Sequence, residues 1–145
     1  MKIAIASDHA GFELKEAVEA YLTKKGIEVN DLGTHSESSV DYPDYGKKLG
    51  EVVTHEPYDF GIAICGTGIG ISIAANKVKG VRAALIYNVE TAKLAKNHNN
   101  ANIIALGGRM TSKEEAFKMI DAFMAASFEK RHLNRIHKIE EIEDK

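Results

Sequence analysis

The segment Cys65-Gly66-Thr67-Gly68-Ile69-Gly70 holds the residues best suited to chemistry. It follows the apolar run Phe60–Cys65 and opens a helical pattern. Three glycines at alternate positions let the backbone turn tightly and aim several N–H groups at one point. With a helix N-terminus behind them, such groups stabilise an anion or an oxygen gaining negative charge. The spacing is not the dinucleotide fingerprint G-x-G-x-x-G of a first strand-to-helix turn. Nor is it a phosphate-binding Walker loop, because no Gly-Lys-Ser/Thr is present. Cys65 stands immediately before the turn, where a thiol can become a thiolate base or nucleophile. A purely structural glycine turn and a buried structural cysteine would use the same residues.

Three other groups have reactive character. Asp8-His9 abruptly ends the first apolar run, which places both at a strand end; Asp8 also suits a helix N-cap. His98-Asn99-Asn100-Ala101-Asn102 ends a helical pattern and enters a strand. His98 could act as an acid/base near neutral pH or simply cap the helix dipole. There are four arginines: Arg82, Arg109, Arg131 and Arg135. Arg109 follows Gly107-Gly108, and Arg131 and Arg135 sit four apart, on one face if the segment is helical. A solvated face explains such a pair, but arginines at cleft-compatible positions also suit bidentate phosphate capture. His35, His55, His132 and His137 form no recognisable metal spacing, so no metal and no other cofactor is assigned.

The elements that must position these groups alternate between strand and helix. Lys2–Ser7, Ile27–Leu32, Phe60–Cys65, Val81–Tyr87 and Asn102–Leu106 read as strands. Helical patterns cover Phe12–Lys25 (closed by Gly26), a stretch from about Pro43, Ile71–Lys77, Asn88–His98, the run after the Ser112/Glu115 capping box, and about Phe128–Glu141. Five apolar strands joined by helices imply parallel pairing, both sheet faces covered, and an α/β three-layer αβα sandwich. This is a Rossmann-like five-stranded parallel sheet with an extra C-terminal helix. Ligands in such sheets bind beyond the carboxyl ends of the strands. The reading therefore puts every candidate residue there or on the last helix.

Composition narrows the class. The 145 residues fit one domain, 1–145, with two prolines and no linker or fixed-period repeat. A single cysteine excludes an intramolecular disulfide and a Cys-based zinc cluster. Nineteen basic residues against 21 acidic leave no footprint for broad nucleic-acid binding. No apolar run is long enough for a membrane span and the N-terminus is not a signal peptide, so a cytoplasmic setting is expected.

Several blocks, in order, resemble the type B ribose-5-phosphate isomerases, whose family also holds galactose-6-phosphate isomerase subunits. They are Ser7 to Gly11, Asp41 to Tyr45, Cys65 to Lys77, Gly80 to Ala83, Asn97 to Asn102, Gly107 to Arg109, and Arg131-His132 with Arg135. The resemblance implies metal-independent interconversion of ribose 5-phosphate and ribulose 5-phosphate through an enediol. It implies that Cys65 is the base, with Gly66, Gly68, Ile69 and Gly70 cradling the enediolate oxygens and Thr67 assisting proton movement. His98, helped by Asp8, would open the furanose ring. His9, Arg131 and Arg135 would hold the phosphate with Arg109 nearby, and Tyr42 and Asn99 would contact the sugar. It further implies a homodimer, alone or as a dimer pair, whose active sites are shared between subunits.

One branch choice and one departure bear on the resemblance. Relatives without the cysteine carry a glutamate six residues later, where this chain has Ile71, so Cys65 is the only base on offer. A Gly-Gly pair common before the first arginine is Glu129-Lys130 here. Two other readings stand beside the pentose isomerase: an isomerase of a hexose phosphate such as allose 6-phosphate, and a non-catalytic flavodoxin-like module that binds a phosphate ligand. The loop His35–Asp41 would help set pocket depth.

Overall fold

The computed structural model describes residues 1–144. Five strands, β1 (Lys2–Ser7), β2 (Glu28–Asp31), β3 (Phe60–Cys65), β4 (Ala83–Leu85) and β5 (Ile103–Gly107), alternate with helices. The helices are α1 (Phe12–Lys24), α2 (Tyr42–His55), α3 (Ile69–Ala75), α4 (Val89–Asn97), α5 (Lys113–Ala125) and α6 (Leu133–Ile142). All pairings are parallel, in the order β2-β1-β3-β5-β4. The expected α/β sandwich is therefore the observed one.

Each sheet face has its own apolar layer. Ile3, Ile5, Ile62, Ile64, Ile104 and Leu106 face Leu14, Val18 and Leu22 of α1 and Met119, Ile120 and Phe123 of α5. Each fully buried aliphatic side chain there contributes roughly 1.5–3 kcal/mol. The other face presents small residues, Ala4, Ala6, Ala63 and Ala105, against Leu49 and Val53 of α2 and Ile71 and Ala75 of α3. The chain runs outward from β1 to β2 on one side and returns to β3 on the other. The carboxyl ends of β1 and β3 thus flank the switch point where ligands bind in such sheets.

Several boundaries differ from the sequence expectation. β4 is an edge strand of three residues rather than Val81–Tyr87; the Asn102 side chain ties down Arg82 N–H (2.7 Å) and Gly80 C=O (2.8 Å) instead. α3 starts at Ile69, two residues early, because Gly68 takes φ 81° and turns the chain straight into the helix. The last helix does not start near Phe128. Ala126 is extended, and Glu129 N–H donates to Asn97 C=O (2.9 Å), which pins the incoming chain to the end of α4. Lys130–His132 then forms a 3₁₀ turn, so Arg131 precedes α6 and the helical i,i+4 argument linking it to Arg135 fails. No helix is long and apolar enough to cross a membrane among the described residues.

Candidate active site

The cysteine turn is built by β3 and locked by β5. Gly108 N–H donates to Cys65 C=O (2.8 Å) and Arg109 N–H to Gly66 C=O (3.0 Å), extending the ladder past the strand ends. Cys65 is buried, and Gly68 N–H donates to its Sγ at 3.2 Å. Negative charge on the sulfur therefore has a donor in place. Thr67 is exposed, and its Oγ1 accepts from Ile69 N–H (3.2 Å), which holds the hydroxyl at the turn's rim. The Tyr42 ring, at the start of α2, lies against Gly70: a Cβ there would stand 2.6 Å from two ring carbons.

The end of β1 approaches from the other side. Asp8 is buried and caps the next turn, its Oδ1 accepting from Gly11 N–H (3.1 Å). Gly11 is required because any Cβ would meet Ile64 C=O at 2.5 Å. Val40 N–H donates to His9 Nδ1 (3.1 Å). Val40 C=O lies 3.2 Å from the same nitrogen, and the two contacts tie the loop before α2 to the site. His9 and Arg109 line a cavity of about 610 Å³, together with Glu13, Glu37, Thr111 and Lys113. Arg109 is exposed and arches toward Gly66, with Nη1 3.5 Å from where a Cβ would stand. Cys65 does not line this cavity; it lies beneath the neighbouring turn.

The remaining candidates lie elsewhere. β5 runs from Ile103 beside Gly61 to Gly107 beside Cys65. His98 and Asn99 precede Ile103, so they sit at the amino edge of the sheet, not the carboxyl edge as expected. Roughly 13 Å of strand separates the two edges. Asp8 and His98 are therefore not brought together within one chain. Local patterning could not show this, because a helix that ends before a strand delivers its last residues to that strand's beginning.

At the amino edge a second cluster forms. The rings of His98 and His132 stack with centroids 4.4 Å apart and a 40° tilt. Arg131 is exposed and paired with Glu129 (2.8 Å), and exposed Arg135 reaches within 3.5 Å of His132 Nδ1. Burial pushes the His132 imidazole below its ordinary pKa, and the positive charge of Arg131 adds to the effect. Asn99 is exposed, and its C=O accepts from Arg82 Nε (3.3 Å). The sequence reading missed His132 as a neighbour of His98, and missed Glu13, Glu37, Thr111 and Lys113 around the cavity. For the pair the signal was weak, since 33 intervening positions separate the two histidines.

The fold and the sequence both have counterparts among known proteins. The family model described as ribose/galactose isomerase matches residues 3–139. Ribose-5-phosphate isomerase B of Escherichia coli K12 is 43% identical over 145 residues, covering 99% of this chain and 97% of that protein. The solved structure of Clostridium thermocellum ribose-5-phosphate isomerase B superposes with a TM-score of 0.97 at 50% identity, covering 99% and 98% of the two chains. The Mycoplasma genitalium enzyme with bound ribulose-5-phosphate gives 0.92 at 43%, covering 99% and 97%. A match spanning nearly the whole of both partners, with the same fold, leaves one conclusion: the chain belongs to the ribose/galactose isomerase family.

Proposed function

We propose that this chain is a sugar-phosphate isomerase that interconverts ribose 5-phosphate and ribulose 5-phosphate, with Cys65 as the base. The observation that carries this reading is the buried Cys65 Sγ under a turn whose Gly68 N–H already points at it, in a chain of this family. The relative that holds ribulose-5-phosphate supports the pentose.

In the open-chain aldose the C2–H is only weakly acidic, so its removal needs a base and an oxyanion cradle together. The Cys65 thiolate takes the C2 proton. The electron pair forms the C1–C2 double bond, and the carbonyl pair moves onto O1. Turn amides between Gly66 and Gly70 would cradle that oxygen, with the Gly68 N–H shared with Cys65 Sγ and the Ile69 N–H released from Thr67 Oγ1. Thr67 passes the proton from O2 to O1, and the Cys65 thiol returns its proton to C1 as C2=O forms. A thiolate and amides supply both requirements without a metal or organic cofactor.

The phosphate sits in the cavity with His9 and Arg109, and Tyr42 meets the sugar at the turn. Ring opening, acid at the ring oxygen O4 and base at the O1 hydroxyl, needs His98 beside Asp8, which one chain does not achieve. We therefore assign His98, Asn99, Arg131 and Arg135 at each site to a second copy, making the active form a homodimer or a pair of dimers. The chain then forms one catalytic domain that completes its site only in the assembly. A free thiol in the base position suits a reducing cytoplasmic setting.

The test is a coupled assay of purified protein, with EDTA present, on ribose 5-phosphate and on allose 6-phosphate. Turnover of the pentose phosphate is the expected result. Preference for the hexose would move the substrate within the same chemistry, and no turnover of either would leave only a phosphate-binding module.

A further inference from the structure

Outside the cysteine turn, the cluster at the amino edge has a property that proton transfer does not use. One ring nitrogen of His98, a Glu129 carboxylate oxygen and one ring nitrogen of His132 lie within 4.8 Å of one another. His132 Nε2 is buried without a hydrogen-bond partner among the described residues, although an imidazole nitrogen in that state is costly. It stands 3.8 Å from Glu129 Oε2, on a side chain only 8% exposed. An orphan nitrogen facing a carboxylate and a second imidazole is a donor set for a cation.

We propose that His98, Glu129 and His132 bind a borderline divalent cation of the zinc type, and that its occupancy inhibits the enzyme by withdrawing the His98 imidazole. The consequence for turnover rests on the ring-opening role given to His98 above; the binding does not. Two imidazoles and one carboxylate make a three-ligand zinc site with a fourth position left for water. Tetrahedral coordination places donors about 3.4 Å apart, so the cluster must tighten by about 1 Å. His98 and Glu129 are only partly buried and can rotate to close that distance, while His132 stays fixed by burial. Arg131, now on Glu129 Oε2, has an exposed side chain that can swing clear. Arg131 and Arg135 weaken the attraction for a cation, so the site suits reversible binding rather than permanent occupancy. Softer or borderline metals are favoured over Mg²⁺ or Ca²⁺, which prefer all-oxygen ligands.

The test is a calorimetric titration of untagged, EDTA-stripped full chain with Zn²⁺ alone at neutral pH. One ion per chain should bind in the native protein and in Cys65→Ala, which removes the other soft ligand. Binding should weaken at least about tenfold in His132→Ala and in Glu129→Gln, the loss expected when one of three ligands goes. If His132→Ala fails to fold, Glu129→Gln, which lies on the surface, carries the test alone. Unchanged affinity in these variants, or loss only in Cys65→Ala, overturns the site. In the isomerase assay, Zn²⁺ should inhibit reversibly, and half-inhibition should need at least about tenfold more Zn²⁺ in Glu129→Gln. Binding with this ligand dependence but without inhibition would uphold the metal site and refute the role of His98 instead.

Discussion

Gly70→Ala separates the position of Tyr42 from the stability of the fold. The new Cβ would stand 2.6 Å from Tyr42 Cε1 and Cζ and 3.1 Å from Cδ1. Carbon atoms in good contact sit about 3.5–4.0 Å apart, so the ring must retreat by about 1 Å. It can do so, because Tyr42 is 41% exposed and begins α2 rather than packing inside it. Losing part of the ring's burial costs about 1 kcal/mol. Alanine in place of glycine within α3 returns about 0.8–1 kcal/mol. The two nearly cancel, so the melting temperature should move by only a few degrees. The sugar contact should not survive the displacement. Loss of one hydrogen bond's worth of affinity raises KM by about tenfold, with a smaller change in kcat. Thermal melts and steady-state kinetics on ribose 5-phosphate read the two effects separately, and Tyr42→Phe isolates the hydroxyl. An unchanged KM would refute the role of the ring, and a melting temperature lower by more than about 10 °C would refute its freedom to move.

Cys65→Ala should lower kcat by about 10²–10⁴ while substrate still binds, and unimpaired isomerisation would remove Cys65 as the base. Mixing Cys65→Ala with His98→Asn subunits should restore roughly a quarter of native activity, because hybrid dimers keep one complete site; no recovery after subunit exchange would argue against shared sites. Gly11→Ala should destabilise by about 2–3 kcal/mol in denaturant titration, because its Cβ would meet the Ile64 backbone at 2.5 Å and neither chain segment can retreat. Glu19 gives a pH effect. Its pKa is raised to about 7, chiefly by burial and then by its hydrogen bond with Asp31, which also holds the buried Lys15 ammonium at 2.6 Å. A raised carboxyl contributes stability in full below its unfolded value and loses it as pH rises through the folded one. The native protein should therefore lose stability relative to Glu19→Gln between about pH 5 and 8, and parallel pH profiles would contradict this.

Much of the site was legible because its residues are contiguous and their conformations local. Cys65 to Gly70 had to be a tight turn, since alternate glycines after an apolar strand have few other uses. Asp8 had to cap something, and it caps the turn ending at Gly11. Boundaries failed where distant contacts decided them. The chain before α6 stays extended because Glu129 bonds to Asn97, 32 residues away in sequence, and β4 is short because Asn102 ties down its approach.

Local sequence determined the strands, the cysteine turn and the sheet's parallel sense, because apolar runs, glycine spacing and helical connections are physical constraints within a few residues. Tertiary structure alone decided which candidates share an edge. His98 looked like a member of the same cleft as Cys65, yet β5 separates them along its length and His98 meets Glu129 and His132 instead. That outcome follows from the direction of a parallel strand: residues at its entry and at its exit lie at opposite ends of the sheet, however close they are in sequence.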